Sequence, residues 1–370
     1  MQFEYFQPVS IRFGAGAART LPSILDDMNV SRALLVCDDF LMDLGKTMME
    51  ASNGRIAEAV GGIRPNPTVE NVDRIAGCCK DLRAQAIVAM GGGSVLDAAK
   101  MAGALAVQGH SAREYLAGGR KLGEGRIPVI ALPTTAGTGS EVTMVSVLSD
   151  EQTDYKGPIG HPVLFATMAL VDPELTRTVP AAVTAATGMD ALSHALEAYW
   201  SVHHQPICDA LAQTACEKIL AHLEAAYRNG DDLVAREGLS LGALLAGLAF
   251  AQAKTAGVHA CSYPLTVRYH MSHGAACAFT LDAFVEVNGR ADGRLDALAS
   301  ALGLGSARLL SEKIKAMKQA MRLPCTLAQA GIPEGDIRAL AEACCAHALM
   351  KNNPVAMTAD SLTELFEGLA

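Results

Sequence analysis

The sequence pattern changes near the middle of the chain. In the first half, short apolar runs rich in β-branched residues alternate with amphipathic segments, which is typical of a parallel sheet wrapped by helices. In the second half the strand signals almost vanish, and long alanine- and leucine-rich segments such as 185–201 and 208–228 show helical periodicity. The pattern therefore predicts an α/β nucleotide-binding domain over 1–179 and an all-helical domain over 180–370.

The clearest predicted strands end in polar or glycine-rich residues. They are ALLVCDD (33–39), AQAIVAMGGGS (84–94), RIPVIALPTT (126–135) and MALVDP (168–173). A doubly wound sheet binds its ligand at such strand ends. A chain of 370 residues is also longer than one hydrophobic core usually supports, so we expect a site in a cleft between two domains.

Composition and charge exclude several classes of protein. Hydrophobic residues make up 50% of the chain, enough for sizeable cores, and the net charge of −9 argues against a nucleic-acid partner, which needs a basic face. The N-terminus has no basic start followed by an apolar run, and no uninterrupted apolar stretch is long enough to cross a bilayer, so we expect no membrane partner. The cysteines form no CxxC pair and are interpreted as reduced thiols, which predicts a cytoplasmic protein.

A glycine-rich turn, GGGS (91–94), follows the second predicted strand and precedes helix-forming residues 95–100. Glycines without a Cβ atom let the backbone approach a pyrophosphate, and the N–H groups of a helix start bind its charge. The spacing differs from the GxGxxG fingerprint of dinucleotide-binding folds, and a tight strand-to-helix connection is the alternative interpretation.

A second turn, PTTAGTGSE (133–141), places four hydroxyl groups and two glycines directly after the third strand. Such a density of short donors suits a nicotinamide cofactor, and a helix start capped by Ser140 or Thr138 is the alternative. At the end of the first strand, Asp38 and Asp39 could accept hydrogen bonds from a ribose diol, and a carboxylate there would repel a 2′-phosphate. The sequence therefore favours NAD over NADP, with a solvated strand end as the alternative.

Four side chains of the second half suit a divalent transition metal: Asp190, His194, His259 and His273. The first two are four residues apart in a helical segment, so both lie on one helix face. One carboxylate oxygen and three imidazole nitrogens suit iron or zinc. The spacing leaves alternatives open, because a helical Asp/His pair is often a surface contact, and His204 or His270 fits the scheme as well.

Six motifs together resemble the iron-containing alcohol dehydrogenase family. They are GGGSVLDAAK (91–100), PTTAGTGSEVT (133–143), VDPELTRTVP (171–180), TAATGMDALSHALEAYWS (184–201), VHACSYPLTVRYHMSHG (258–274) and NNP (352–354). The resemblance implies a nucleotide-binding α/β domain, an all-α domain and a metal in the cleft between them, an architecture that dehydroquinate synthases share. It also implies NAD or NADP and a divalent metal, Fe(II) or Zn(II), as cofactors.

The resemblance assigns roles to individual residues. Asp190, His194, His259 and His273 fall on the family's metal-ligand positions and would act in catalysis through the metal. The predicted cofactor residues are Asp38, Gly92, Gly93, Ser94, Asp97, Thr134, Thr135, Thr138 and, near the nicotinamide ribose, Lys156.

Departures from the family pattern bear on the substrate. Tyr263 stands where many members carry a second histidine, and SHGAAC (272–277) replaces the usual PHG. Lys254 stands where a glycine is usual, so a long cationic side chain there is expected to border the substrate cavity. The stretch around His259 is similar to a subgroup associated with phosphonate metabolism, which reduces phosphonoacetaldehyde. We expect Tyr263, Lys254 and Arg268 to bind substrate, with a helix cap or a surface ion pair as the alternative for the two cations.

The sequence thus predicts a metal-dependent, NAD(P)H-linked alcohol dehydrogenase or aldehyde reductase, with phosphonoacetaldehyde as the favoured substrate. A general short-chain alcohol dehydrogenase of the same family is the first alternative. A lyase resembling dehydroquinate synthases, which use NAD only transiently, is the second, and a non-catalytic nucleotide-binding protein is the third. The expected partners are a small aldehyde or alcohol and further copies of the chain, in a homodimer or larger homo-oligomer.

Overall fold

The computed structural model describes residues 2–153, 155–291 and 293–369, which form two compact units. One unit is the segment Gln7–Thr176. The other contains residues 177–369 together with the short N-terminal segment 2–6. This segment is held there partly by Tyr5, whose hydroxyl donates to the carbonyl oxygen of Leu248 at 3.3 Å.

A six-stranded parallel sheet forms the centre of the first unit. In chain order, the strands of this unit, including two outside the sheet, are β1 (Ser10–Phe13), β2 (Ala33–Cys37), β3 (Ile56–Val60), β4 (Ala86–Gly91), β5 (Val129–Pro133), β6 (Val145–Asp150), β7 (Tyr155–Gly160) and β8 (Met168–Val171). The sheet order is β1-β8-β5-β4-β2-β3, and β6 and β7 form a separate antiparallel hairpin. The predicted α/β fold is confirmed, and β2, β4, β5 and β8 each lie inside a predicted strand.

The central strands are buried on both faces. Every residue of β2, β4 and β5 is buried, which is why each strand is a continuous apolar run. The helices of this unit are α1 (Leu21–Asp27), α2 (Met42–Ala51), α3 (Val69–Leu82) and α4 (Gly93–Gln108). On one face of the sheet, Leu25 of α1 belongs to the same apolar cluster as Leu35 and Val88 of the strands.

The chain crosses the sheet between β3 and β4. β2 pairs with β3 on one side and with β4 on the other. The carboxyl ends of β2 and β4 therefore flank a topological switch point, where open α/β sheets bind their ligands. Asp38 and Gly92 follow these two strand ends directly.

In the second unit, all regular elements of the described residues are helices, which confirms the predicted all-helical half. They are α5 (Ala181–Trp200), α6 (Pro206–Arg228), α7 (Leu233–Ala253), α8 (Gly257–Tyr269), α9 (His273–Ala291), α10 (Arg294–Ala301), α11 (Ala307–Ala320), α12 (Ile337–Ala346) and α13 (Ala359–Glu367). Small residues let α5 and α6 approach closely, since a Cβ atom on Gly188 would stand 2.2 Å from Cδ1 of Leu223.

One helix of the second unit, α7, is long and apolar enough by composition to cross a membrane. Its 21 residues include a window with a mean hydropathy of 1.5. From the sequence we expected no uninterrupted apolar stretch long enough to cross a bilayer. Arg236 and Glu237 interrupt the run near its start. Of that window, 56% is buried inside the unit, where α7 packs on α5 and α6, and a core helix has the same composition. Length and composition alone are therefore weak evidence for a span.

Candidate active site

Two loops of the α/β unit meet at the carboxyl ends of β2, β4 and β5. A Cβ atom on Gly93 of the first loop would stand 2.7 Å from Cγ2 of Thr138 in the second. One on Gly92 would stand 3.5 Å from Oγ1 of Thr135. The loops come this close because residue 93 has no side chain. The N–H of Gly92 donates to Oδ2 of Asp38 at 3.3 Å, which ties the first loop to the end of β2.

The first loop leads into α4, whose N-terminus suits an anion. The helix begins at Gly93, and within the described part of the chain no side chain caps it. Ser94 is half-buried in the first turn and adds a hydroxyl group. Backbone N–H groups at such a helix start bind phosphate groups, and the missing Cβ atoms leave room for one. These residues therefore fit the pyrophosphate of a dinucleotide.

A buried lysine outside the predicted set supports the second loop. Lys100, on α4, is 1% exposed, and its Nζ donates to the carbonyl oxygens of Ser140 at 2.9 Å and Val145 at 2.5 Å. Burial lowers the pKa of Lys100, and the carboxylate of Asp97, 3.3 Å away, opposes that shift. Both oxygens of Asp97 accept further hydrogen bonds, from the hydroxyl of Ser140 and from the N–H of Val147. Asp97 and Lys100 thus fix the loop from inside the protein.

Thr134 and Lys156, two further predicted cofactor residues, differ in exposure. Thr134 is 2% exposed, and its N–H donates to the carbonyl oxygen of Gly91 at 3.0 Å. Its backbone therefore joins the two loops. Lys156 is half-buried on β7, and its Nζ donates to Oδ1 of Asn66 at 2.7 Å.

A cavity of about 670 Å³ opens beside β3 in the same unit, with Asp39, Arg64 and Arg74 among its lining residues. Oδ1 of Asp39 accepts the N–H of Gly62 at 2.5 Å, and Nη2 of Arg74 donates to the carbonyl oxygen of Gly62 at 3.3 Å. Asp38 is the residue before Asp39 in the sequence. Burial raises the pKa of the Asp38 carboxyl above its ordinary value. The cavity thus lies at the edge strand β3, and Asp38 and Gly92 at the switch point do not line it.

In the helical unit, the four predicted metal ligands meet. Asp190 and His194 lie on α5, His259 lies in the first turn of α8, and His273 begins α9. Oδ1 of Asp190 is 3.6 Å from Nε2 of both His259 and His273, and 4.0 Å from Nε2 of His194. Nε2 of His194 and Nε2 of His259 are 3.0 Å apart. A tetrahedral ion with bonds of about 2.1 Å places its ligand atoms about 3.4 Å apart, so these separations fit a single ion.

The donor set of this cluster also fits a cation. Oδ1 of Asp190 is buried and accepts no hydrogen bond from the described residues, a costly state unless a cation balances it. Cys277 competes with His194 for the fourth position, because Asp190, His259, His273 and Cys277 each place a donor atom within 4.8 Å of the others. Burial raises the pKa of the Cys277 thiol to about 11, so this thiol would have to lose its proton to bind a cation, whereas a neutral imidazole would not.

Glu197, a buried carboxylate outside the predicted set, positions His259. One oxygen accepts the N–H groups of Val258 at 2.7 Å and His259 at 3.3 Å, and the other accepts Nδ1–H of His259. A carboxylate on Nδ1 fixes the ring and leaves Nε2 for a metal. The sequence contains a signal for this role of Glu197, because Asp190, His194 and Glu197 follow the i, i+4, i+7 pattern of one helix face.

The charged groups of the cluster shift one another's pKa values. Burial opposes the ionised form of Asp190, but the imidazoles of His194 and His273 outweigh it and hold the pKa of that carboxyl below its ordinary value. Burial likewise opposes the charged form of His259, yet the acidic groups around it raise its pKa well above the ordinary value. A divalent cation would take the place of these protons.

Lys254 has a backbone conformation that favours glycine. It ends α7 with φ 64° and ψ 166°, which costs a residue with a side chain on the order of 1–3 kcal/mol. The glycine that is usual there is therefore explained by backbone geometry, and the expectation that a side chain must border a cavity loses that support. Two side chains donate to the turn, the hydroxyl of Ser201 to the carbonyl oxygen of Ala253 at 2.6 Å and Nδ2 of Asn352 to that of Thr255 at 2.8 Å. The Lys254 side chain is exposed.

The structure separates the other two predicted substrate residues. Arg268 lies about 13 Å further along the axis of α8 than His259. Its Nη1 donates to the carbonyl oxygen of Ala339 at 3.3 Å. Arg268 is thus placed on the surface, away from the cluster. Tyr263 lies one turn after His259, and its ring meets that of His273 edge-on, with 6.5 Å between centroids.

The two alternative histidines do not join the metal cluster. His204 lies beyond the end of α5, and its Nδ1 is 3.0 Å from Oδ2 of Asp209. His270 is exposed and ends α8 in the left-handed conformation. The geometry therefore favours His194, His259 and His273 over both.

Family comparisons cover both units. The family described as iron-containing alcohol dehydrogenase matches residues 8–173. The C-terminal part of the Fe-containing alcohol dehydrogenase family matches residues 184–369.

Individual members of this kind of protein are similar to the chain over most of its length. The chain is 37% identical over 351 residues to long-chain-alcohol dehydrogenase 1 of Geobacillus thermodenitrificans, with 90% of this chain and 88% of that protein covered. It is 32% identical over 383 residues to the NAD-dependent methanol dehydrogenase of Bacillus methanolicus, with 98% of each covered. The crystal structure of sulfoacetaldehyde reductase from Bifidobacterium kashiwanohense in complex with NAD+ matches with a TM-score of 0.97 at 37% identity, covering 100% of this chain and 99% of that one. The chain therefore belongs to the iron-containing alcohol dehydrogenase family and is an oxidoreductase.

Proposed function

We propose that this protein is a metal-dependent, NAD-linked aldehyde reductase whose substrate carries an anionic group on the carbon next to the aldehyde. The observation that carries the proposal is the cluster of one carboxylate and three imidazoles on α5, α8 and α9, in a chain of the alcohol dehydrogenase family. An exposed edge at this cluster supports access for a small molecule, because the His273 side chain is 36% exposed whereas that of Asp190 is 3% exposed.

The metal would be held by Asp190, His194, His259 and His273, with iron or zinc as candidates. When bound, a divalent ion supplies Lewis acidity at a carbonyl oxygen. Glu197 orients one of the ligands, since it accepts Nδ1–H of His259. Phe250 orients another, because its ring stacks on that of His194 with 4.1 Å between centroids. The side chains of His194 and His259 are buried, which keeps water from both imidazole rings.

The cofactor would be held by Gly92, Gly93 and Ser94 at its pyrophosphate, with Thr135 and Thr138 beside them. When bound, the nicotinamide supplies the hydride. Asp97, Lys100 and Thr134 would act indirectly, by fixing the second loop. Asp38, at the end of β2, would accept the ribose hydroxyls and repel a 2′-phosphate, which supports NAD over NADP.

The anionic substrate class rests on two similarities. The stretch around His259 is similar to the subgroup that reduces phosphonoacetaldehyde, and the whole chain is similar to a sulfoacetaldehyde reductase. Both aldehydes have two carbons and a tetrahedral anionic group on the carbon next to the aldehyde. Lys254 would supply the opposing charge, and a strained backbone that its neighbours hold in place is a feature of functional sites.

Steady-state kinetics tests the proposal. Initial rates would be measured with sulfoacetaldehyde, phosphonoacetaldehyde and neutral propanal, with NADH or NADPH, on protein loaded with Fe(II) or Zn(II). We expect stoichiometric oxidation of NADH and a kcat/KM at least about ten-fold higher for the anionic aldehydes, the effect of one charged hydrogen bond. A higher kcat/KM for propanal would indicate a general alcohol dehydrogenase. Product formation without net change in NADH would indicate a lyase.

A further inference from the structure

His347, a residue outside every set named above, stacks on Tyr263. The two rings are 4.4 Å apart between centroids and inclined by 22°. His347 follows α12, is half-buried, and accepts the N–H of Leu349 on its Nδ1 at 3.3 Å. The stack and the hydrogen bond together fix both the position and the rotation of the imidazole ring.

The hydrogen bond from Leu349 also fixes where the ring carries its proton. A ring nitrogen that accepts a hydrogen bond carries no proton, so the neutral ring of His347 has its proton on Nε2. Burial lowers the pKa of His347, which favours the neutral form. His347 thus offers one oriented N–H donor, on Nε2.

This pair lies at the accessible edge of the metal cluster. Tyr263 is one helical turn after His259 and meets the His273 ring edge-on. The side chain of His273 is 36% exposed, whereas those of His194 and His259 are each 6% exposed. A small molecule that approaches this cluster from the exposed edge would therefore pass Tyr263 and His347.

We propose that His347 and Tyr263 bind the anionic group of the substrate, with Nε2–H of His347 donating to one of its oxygens. This inference rests on the proposed function and adds His347, acting with Tyr263, to the residues that determine substrate specificity. A sulfonate or phosphonate presents several acceptor oxygens, and an oriented donor satisfies one of them. A neutral alkyl chain would displace water from that donor without offering an acceptor in its place, which disfavours neutral aldehydes.

Two substitutions at residue 347 test the inference. His347→Phe keeps a ring that can stack on Tyr263 but removes the Nε2–H donor. His347→Asn removes the ring but keeps a side-chain acceptor for the N–H of Leu349, so the turn stays capped. His203→Asn, at an exposed histidine elsewhere in the same unit, is the control.

For both variants at residue 347 we expect kcat/KM for sulfoacetaldehyde and phosphonoacetaldehyde to fall about ten-fold, mainly through KM, because a hydrogen bond to a charged group is lost. The kcat/KM for propanal, the bound metal and Tm should stay within about two-fold or a few degrees of the control. Equal losses on all three aldehydes, or an unchanged preference for the anionic ones, would overturn the inference and leave the proposed function intact. A wild-type protein without that preference would overturn both.

Discussion

The cofactor loops and the metal cluster are built in different ways. In the α/β unit, the loops around residues 91–94 and 134–138 follow neighbouring strands, so the order of the sheet brings them together. In the helical unit, the cluster draws on three helices between residues 190 and 273, and contacts such as that of Glu197 with His259 orient its ligands. The order of the strands places the loops, and Asp97 and Lys100 support the second one, whereas the cluster depends on individual side chains for every ligand atom. Single substitutions should therefore damage the cluster more than the loops.

The largest effect is expected for His273→Ala, which removes a predicted metal ligand. We expect loss of bound metal and a fall in kcat of about 10³-fold or more, since a metal contributes several kcal/mol to such reactions. Elemental analysis of the purified protein and steady-state rates measure both. His270→Asn is the matched control, because this exposed neighbour has a left-handed backbone that asparagine tolerates. Normal metal content in His273→Ala would remove His273 from the ligand set.

The next effect concerns a residue that acts through a ligand. Glu197→Gln keeps an oxygen for the N–H groups of α8 but loses the carboxylate that accepts Nδ1–H of His259. We expect metal affinity to weaken by about 10–100-fold while the fold is retained. Competition with a chelator measures the affinity, and Glu237→Gln, at an exposed carboxylate of α7, is the control. An affinity equal to that of the control would limit Glu197 to a structural role.

Lys254 allows charge and backbone strain to be separated. Lys254→Met removes the charge and keeps the strained backbone, so kcat/KM for the anionic aldehydes should fall by on the order of ten-fold, with little change for propanal. Lys254→Gly should show the same loss and also raise stability by about 1 kcal/mol, because glycine accepts a φ of 64°. Thermal denaturation of the two variants measures the difference. Equal kinetic losses on anionic and neutral aldehydes would show that Lys254 serves the scaffold.

The smallest effect is expected in the cofactor loops. Asp38→Ser removes the carboxylate that would repel a 2′-phosphate, yet a serine hydroxyl can still accept the N–H of Gly92. We expect the ratio of kcat/KM for NADPH to that for NADH to rise roughly five-fold, the effect of about 1 kcal/mol between solvated charges. Asp39→Ser serves as the comparison. A wild-type protein already faster with NADPH would contradict the role of Asp38.

The sequence pattern predicted the fully buried strands and missed strands that contain exposed residues. β2, β4 and β5 are predictable because burial on both faces requires a continuous apolar run. β1 and β3 lie at the edges of the sheet and contain exposed residues, so their apolar signal is weak. β7 contains Gly157 and Pro158, which are typical of a turn and hide the hairpin.

For the candidate site, helix spacing predicted neighbours within one element, whereas His259 and His273 were assigned through the family resemblance and other contacts between elements were missed. Helix spacing paired Asp190 with His194, and the same face includes Glu197, but its partner His259 lies 62 residues further on. The φ of Lys254 depends on the bonds that hold its turn, which no local pattern reveals. Arg268 is close to His259 in sequence, yet the rise of the helix carries it away.

The enclosure of Lys100 makes it an internal reporter for chemical footprinting. Its amine is surrounded by the carbonyl oxygens of Ser140 and Val145, so an acylating reagent reaches it only when that loop opens. Lys46, with a side chain that is 66% exposed, reacts without any opening. The rate of acylation of Lys100 relative to Lys46 therefore reports how often the second loop opens, and a dinucleotide that holds the loop closed slows the labelling of Lys100 relative to that of Lys46.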